Sequence, residues 1–264
     1  QILNNLAHFY HNQGKYSEAE PLYLEVLEMT KRLFTGDHPD VAQILNNLAH
    51  FYHNQGKYSE AEPLYLEVLE MTKRLFTGDH PDVAQILNNL AHFYHNQGKY
   101  SEAEPLYLEV LEMTKRLFTG DHPDVANSLN NLAFLYDNQG KYSQAEPLYL
   151  DALKMRKRLF TGDHPDVATS LNNLAFLYDN QGKYSEAEPL YLDALAMLER
   201  LLGTNHPNTI TVRNNLQLLQ QQLIPRLFYI RLLNNLLIVL ALPFYILWLL
   251  IKRIIIFSWR LFRR

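Results

Sequence analysis

A 42-residue phrase, QILNNLAHFYHNQGKYSEAEPLYLEVLEMTKRLFTGDHPDVA, opens at Gln1 and returns unchanged at Gln43 and Gln85. It returns with substitutions at Asn127 and Thr169, and a degenerate sixth opening, TVRNNLQLLQQQ, starts at Thr211. Self-similarity at a fixed period of this length marks a stacked-repeat architecture, in which each unit covers the apolar face of the next. Identity among the first three copies also lets neighbouring units pair out of register without local cost, so misassembly is an expected liability.

Within the first copy, Leu3, Leu6, Ala7 and Tyr10 follow the i, i+3, i+4, i+7 spacing of an amphipathic helix. Gln1, Asn4, Asn5, His8, His11 and Asn12 fall on the opposite, polar side. Gly14 is placed to close this helix. Ser17 and Glu20 have the spacing of a capping box for a second helix, with Pro21 near its start. Ala19, Leu22, Tyr23, Val26, Leu33 and Phe34 give that helix its stripe, and 35–40 breaks it. Each copy therefore reads as a helical hairpin, with Ala7 and Ala19 allowing close approach and the tyrosines filling the space between.

The pattern Leu-x-x-Leu-Ala-x-x-Tyr, followed by Tyr16, Ala19 and Tyr23, resembles the tetratricopeptide repeat (TPR). The longer period, with LNNLA, NQGKY, EAEPLY and GDHPDVA, is similar to the kinesin-light-chain type of that family, which is also widespread in bacterial repeat proteins. The resemblance covers 1–222 and implies an all-α fold, a right-handed α-solenoid of TPR hairpins. In the sixth opening, Arg213, Gln217 and Gln220 replace the apolar stripe, as suits a helix capping an array. Gln1 enters the phrase where other copies are preceded by GDHPDVA, so further sequence is expected upstream.

Composition divides the chain. From Gln1 to Ile210 there are 16 basic against 28 acidic residues, whereas 211–264 holds 8 basic residues and no acidic one. An acidic repeat body disfavours nucleic acid, whose phosphates need a basic surface. Cysteine is absent, which excludes disulfides and thiolate metal sites.

The family resemblance implies that the first helices line a concave peptide-binding face. The inner row would then comprise Asn4 and His8, Asn46 and His50, Asn88 and His92, Asn130 and Phe134, and Asn172 and Phe176. A carboxamide offers a donor and an acceptor together, matching a peptide backbone. The same Asn side chains could instead tie neighbouring helices together or face solvent. Phe134 and Phe176 offer apolar anchors on a polar face, unless they pack on each other or on the C-terminal tail. The family's cargo groove is rich in basic residues and takes peptides with Trp beside acidic residues. This row is not basic, so a microtubule-cargo role does not carry over.

His8 and His11, with their copies, sit three residues apart and suggest a metal site, but no Cys or nearby carboxylate completes a ligand set. Their protonation near pH 6.5 would tune partner binding. His38-Pro39-Asp40 also spells a tripeptide of the chaperone J-domain, yet its recurrence between repeats marks a helix start. No phosphate loop, nucleophile elbow or distinctive carboxylate pair is present, so neither catalysis nor a cofactor is expected.

Residues 223–264 form a basic, apolar tail. Leu232 to Ile251 is a run of 20 uncharged residues, and about 20 apolar residues suffice to cross a bilayer as a helix. A C-terminal hydrophobic helix is therefore expected at 232–251, including Leu236, Trp248 and Ile251, with Lys252, Arg253 and Trp259 at the interface. An in-plane helix, or a tail folded back on the repeats, are the competing readings. The sequence reads as a non-catalytic scaffold for a peptide or protein partner, its repeats cytoplasmic and its C-terminus in a membrane. The alternative is a regulatory or sensor module of a larger signalling protein.

Overall fold

The computed structural model describes residues 2–223 and 252. Its helices are α1 (Ile2–Asn12), α2 (Tyr16–Leu33), α3 (Pro39–Asn54), α4 (Tyr58–Leu75), α5 (Pro81–Asn96) and α6 (Tyr100–Leu117). They continue as α7 (Pro123–Asn138), α8 (Tyr142–Leu159), α9 (Pro165–Asn180) and α10 (Tyr184–Leu202), followed by α11 over 207–223. No strand occurs among the described residues. The strongest packing joins helices adjacent in sequence, first within a hairpin and then from one hairpin to the next. This is an α-solenoid stabilised by nearest-neighbour stacking.

Most of each stripe read from the sequence is buried in the interior copies, while Tyr52, Leu64 and Phe76 are half-buried. Ala49, Ala61, Ala91 and Ala103 are fully buried where the helices approach, and Tyr65 and Tyr107 are 1% and 2% exposed. At the N-terminal end, Leu6 is 37% exposed whereas Leu48, its copy, is 2% exposed, because Leu48 has a preceding hairpin to pack on. Leu33, assigned to the stripe, is exposed in the first copy, and its equivalents Leu75 and Leu117 are only half-buried.

Local chemistry sets the helix ends. His38 caps α3 by accepting from the Asp40 backbone N–H through Nδ1 at 3.1 Å, with Pro39 as the first helical residue. Its ring stacks on Phe34 at 3.5 Å between centroids, and the arrangement recurs at His80, His122 and His164. Gly98 takes φ +72 between α5 and α6, a left-handed conformation that L side chains adopt at a cost.

The expected capping box does not form. α2 begins at Tyr16 with Lys15 as its N-cap, which puts Ser17 inside the helix, where its Oγ donates to Glu18 at 2.7 Å. Glu20 is engaged by the following repeat: it accepts from the Tyr52 hydroxyl at 3.0 Å and from Lys57 Nζ at 3.1 Å. The same triad joins every later pair of repeats, with the Lys also held over the Tyr ring. Bidentate pairs Arg74–Asp37, Arg116–Asp79 and Arg158–Asp121 stitch the outer edge. These pairs are exposed, so they fix register more than they add stability.

The expected C-terminal hydrophobic helix at 232–251, and with it Leu236, Trp248, Ile251, Arg253 and Trp259, lies outside the described residues. Lys252 is described, as a helical and exposed residue. Among the described residues no helix is long and apolar enough to cross a membrane.

Candidate functional site

The first helices of successive hairpins lie side by side and present one face built from the LNNLA-x-x-x-x-N segment of each copy. Between α3 and α5 this face opens a cleft lined by Asn46, Asn47, His50, Tyr65, Asn88, Asn89 and His92. Four of the residues chosen from the sequence, Asn46, His50, Asn88 and His92, thus share one cleft.

The carboxamides form a ladder that the sequence reading only partly captured. Asn47 Nδ2 donates to Asn4 Oδ1 at 3.2 Å, and the bond repeats from Asn89 to Asn46, Asn131 to Asn88, Asn173 to Asn130 and Asn215 to Asn172. Gln43 and Gln85 donate in turn to Oδ1 of Asn47 and Asn89, which fixes the direction of the ladder. Asn46, Asn88 and Asn130 therefore spend their acceptor on the neighbouring repeat and keep the amide N–H groups. The sequence reading missed the second Asn of each doublet. Its signal was the survival of Asn214-Asn215 in the sixth opening, where most of the stripe is lost.

His8, His50 and His92 are exposed on this face, whereas His11, His53 and His95 are buried, at 8%, 7% and 8% exposure. The helical wheel put His11 on a wholly polar face. Stacking corrects this, because Phe51 of the next repeat closes over it at 5.5 Å. Burial of His11 and His53, and the partial desolvation of the exposed His50 and His92 where they sit between packed helices, each reinforced by neighbouring imidazoles, lower these pKa values and take His53 down to about 4. Among the described residues no group of three His, Cys, Asp or Glu side chains is placed to hold a metal ion.

In copies four and five the row changes character. Phe134 and Phe176 are 38% and 39% exposed, and Leu218 of α11, in the same register one repeat on, is 56% exposed. Leu218 was not picked out from the sequence, although the 42-residue register places it directly. Phe134 packs its ring 5.0 Å from His95. Asp137 replaces the buried histidine and is 4% exposed, with Oδ1 accepting from Asn180 Nδ2 at 3.1 Å. Burial raises the pKa of Asp137 and Asp179 above the usual carboxylate range.

A family description of the tetratricopeptide repeat matches residues 1–74, 40–91 and 82–158, and a second one matches 167–208. The chain belongs to the tetratricopeptide repeat family. A search of curated proteins found no match. Among solved structures, this TPR array is similar to BtubC (BKLC) from P. vanneervenii, with 29% identity over 78% of this chain and 81% of that one and a TM-score of 0.66. A Podosopora anserina protein assigned to the kinesin light chains, with nearly identical TPR-like repeats, is 24% identical. The match covers 76% of this chain and 95% of that one, with a TM-score of 0.64, and shows a common fold. The Rap protein complexed with Competence and Sporulation Factor shares the fold at 17% identity, over 84% and 64% of the two chains, with a TM-score of 0.54. The kinesin-light-chain-like character of the repeats is thus matched by solved TPR structures. TPR arrays are, as a family, scaffolds for protein interaction.

Proposed function

We propose that this TPR array is a non-catalytic scaffold that holds a peptide segment of a partner protein along the face of its first helices. The observation that carries the reading is the exposed apolar series Phe134, Phe176 and Leu218, set in line with the Asn row. Large side chains exposed at repeat spacing on an otherwise polar face suit the anchors of a bound segment. Amide N–H groups of Asn46, Asn88 and Asn130 would bind carbonyl oxygens of an extended backbone, and His8, His50, His92 and Asn172 would flank it. Asn4 would mark the N-terminal end of the same track.

The test is selection of peptides from a displayed library on the full chain, followed by affinity measurement with Phe134→Ser/Phe176→Ser. Both side chains are exposed, so the fold should be retained. Loss of two anchors should weaken selected peptides by about 10-fold or more, on the usual scale of interface hot spots. Peptides that bind the double variant as tightly as the parent would remove these residues from the site.

We further propose that residues 223–264 attach the array to a membrane through a helix at 232–251, leaving 1–222 as a separate repeat domain on the cytoplasmic side. The support for the span is the uncharged run from Leu232 to Ile251, and Arg226 and Arg231 before it favour a cytoplasmic repeat body, against the pull of the five basic residues after it. The full chain should stay with lipid after a carbonate wash, and deletion from Pro225 onward should release it. A full chain recovered in the supernatant would sink this proposal.

A further inference from the structure

Stacking brings the six histidines of α1, α3 and α5 into one continuous series. Ring centroids are 6.0 Å apart from His8 to His11 and from His11 to His50, then 6.1 Å from His50 to His53. They are 5.8 Å apart from His53 to His92 and 6.3 Å from His92 to His95. Asparagines bridge the series between repeats. Asn54 Nδ2 lies 3.1 Å from Nε2 of both His11 and His50, and Asn96 Nδ2 lies 3.0 Å from His53 Nε2 and 3.3 Å from His92 Nδ1. Asn138 Nδ2 reaches His95 Nε2 at 2.8 Å.

In each bridge the amide N–H donates, so the ring nitrogen must accept, and only an unprotonated nitrogen accepts. The network is therefore assembled from neutral imidazoles. Among the described residues no carboxylate contributes to the charge around His11, His50, His53 or His92. Tyr16 of α2, Tyr58 and Tyr65 of α4, and Tyr100 of α6 face the rings from the second helices. Phe51 of α3, Phe93 of α5 and Phe134 of α7 complete the contact. The charges that act on His11, His50, His53 and His92 are those of the other histidines.

We propose that this histidine row is a proton-responsive element: mild acid charges adjacent rings together, breaks the asparagine bridges and loosens the stack of repeats one to three, while repeats four and five hold. This goes beyond peptide capture and does not depend on it.

The direction follows from proton linkage. An unfolded histidine titrates near 6.5, and burial together with neighbouring rings lowers the folded value, to about 4 for His53. Between these values the unfolded chain binds more protons than the folded one. The row's stability is full above about pH 6.5 and declines as pH falls toward 4. Repeats four and five carry the opposite sign, since Asp137 and Asp179 have raised folded pKa values. Acid neutralises the buried Asp137 and the half-buried Asp179 and removes the cost of keeping them charged away from water. One packed position thus responds in opposite senses at the two ends of a single array.

The chain supplies its own control, because Phe and Asp already occupy these places in copies four and five. The experiment compares thermal melts of the full chain at pH 7.5 and 5.5 with those of His50→Phe/His53→Asp/His92→Phe/His95→Asp. Glutamyl endopeptidase, which cuts at both pH values, maps where the stack opens. The parent should lose about 5 °C or more on acidification, a shift of the size that modest stability changes produce in a chain of this length. Its cuts at pH 5.5 should concentrate in 1–126, and the variant should lose much less. An equal loss in the variant, or cuts spread into repeats four and five, would overturn the proposal. Should the variant fail to fold, NMR titration of the parent's imidazoles decides: His53 must titrate well below a free histidine, and a midpoint near 6.5 would refute the idea.

Discussion

Truncating Tyr107 to Ala should destabilise the array by about 3–5 kcal/mol, the range for removing a buried aromatic side chain, and should split its unfolding into two steps. Tyr107 is 2% exposed in α6, within a cluster that includes Leu111, Leu132, Leu135 and Ala145. The rigid helices on either side cannot collapse into the space left behind, so the cavity persists. In a globular core the loss would be shared by the whole domain. In a solenoid it falls on the interface between repeats three and four, because stability is a sum of nearest-neighbour terms. Hydrogen exchange should show α6 and α7 losing protection first, with the flanks melting separately. A single transition at the parent's midpoint would contradict a nearest-neighbour stack.

That expectation rests on features legible in the sequence, since the positions of Ala49, Leu45 and Tyr65 follow from a 3.6-residue period repeated in register. What could not be read was chemistry crossing from one repeat to the next. Ser17 and Glu20 have capping-box spacing, yet Glu20 is taken by Tyr52 and Lys57 of the following hairpin. The Asn doublet lies on one polar face of the wheel, but stacking decides that Asn89 reaches back to Asn46. His53 looks solvated on its own helix and is buried once Phe93 closes over it. A helical wheel ranks the faces of one helix and carries no term for the offset between neighbours. Phe134 and Phe176 were legible for the converse reason, as breaks in a polar row that stay exposed.

The same limit applies to Arg156, which is 5% exposed in α8. Its Nη1 donates to the Asp166 carbonyl at 3.1 Å and to Ser170 Oγ at 2.7 Å, and its Nη2 donates to Asn127 Oδ1 at 2.6 Å. Burial lowers its pKa, because a guanidinium out of water is costly even when its hydrogen bonds are made. At the equivalent position the array places Thr72, Thr114 and Leu198, and opposite them Ile86, Ser128 and Val212. Thr114 bonds to Ser128 at 3.2 Å, whereas Leu198 and Val212 are buried in one apolar cluster. The last three pairs run from Thr114 and Ser128 through Arg156 and Ser170 to the apolar Leu198 and Val212, whereas Thr72 with Ile86 is a mixed pair. Arg156→Leu alone should cost about 1–3 kcal/mol by leaving Ser170 and Asn127 without their donor. Adding Ser170→Val, which copies the Leu198 and Val212 pair, should recover most of that loss or exceed it, since an apolar pair of similar volume avoids desolvating the cation. Urea unfolding of the two single variants and the double variant gives the coupling directly. Additive losses would mean that the two sites are energetically independent.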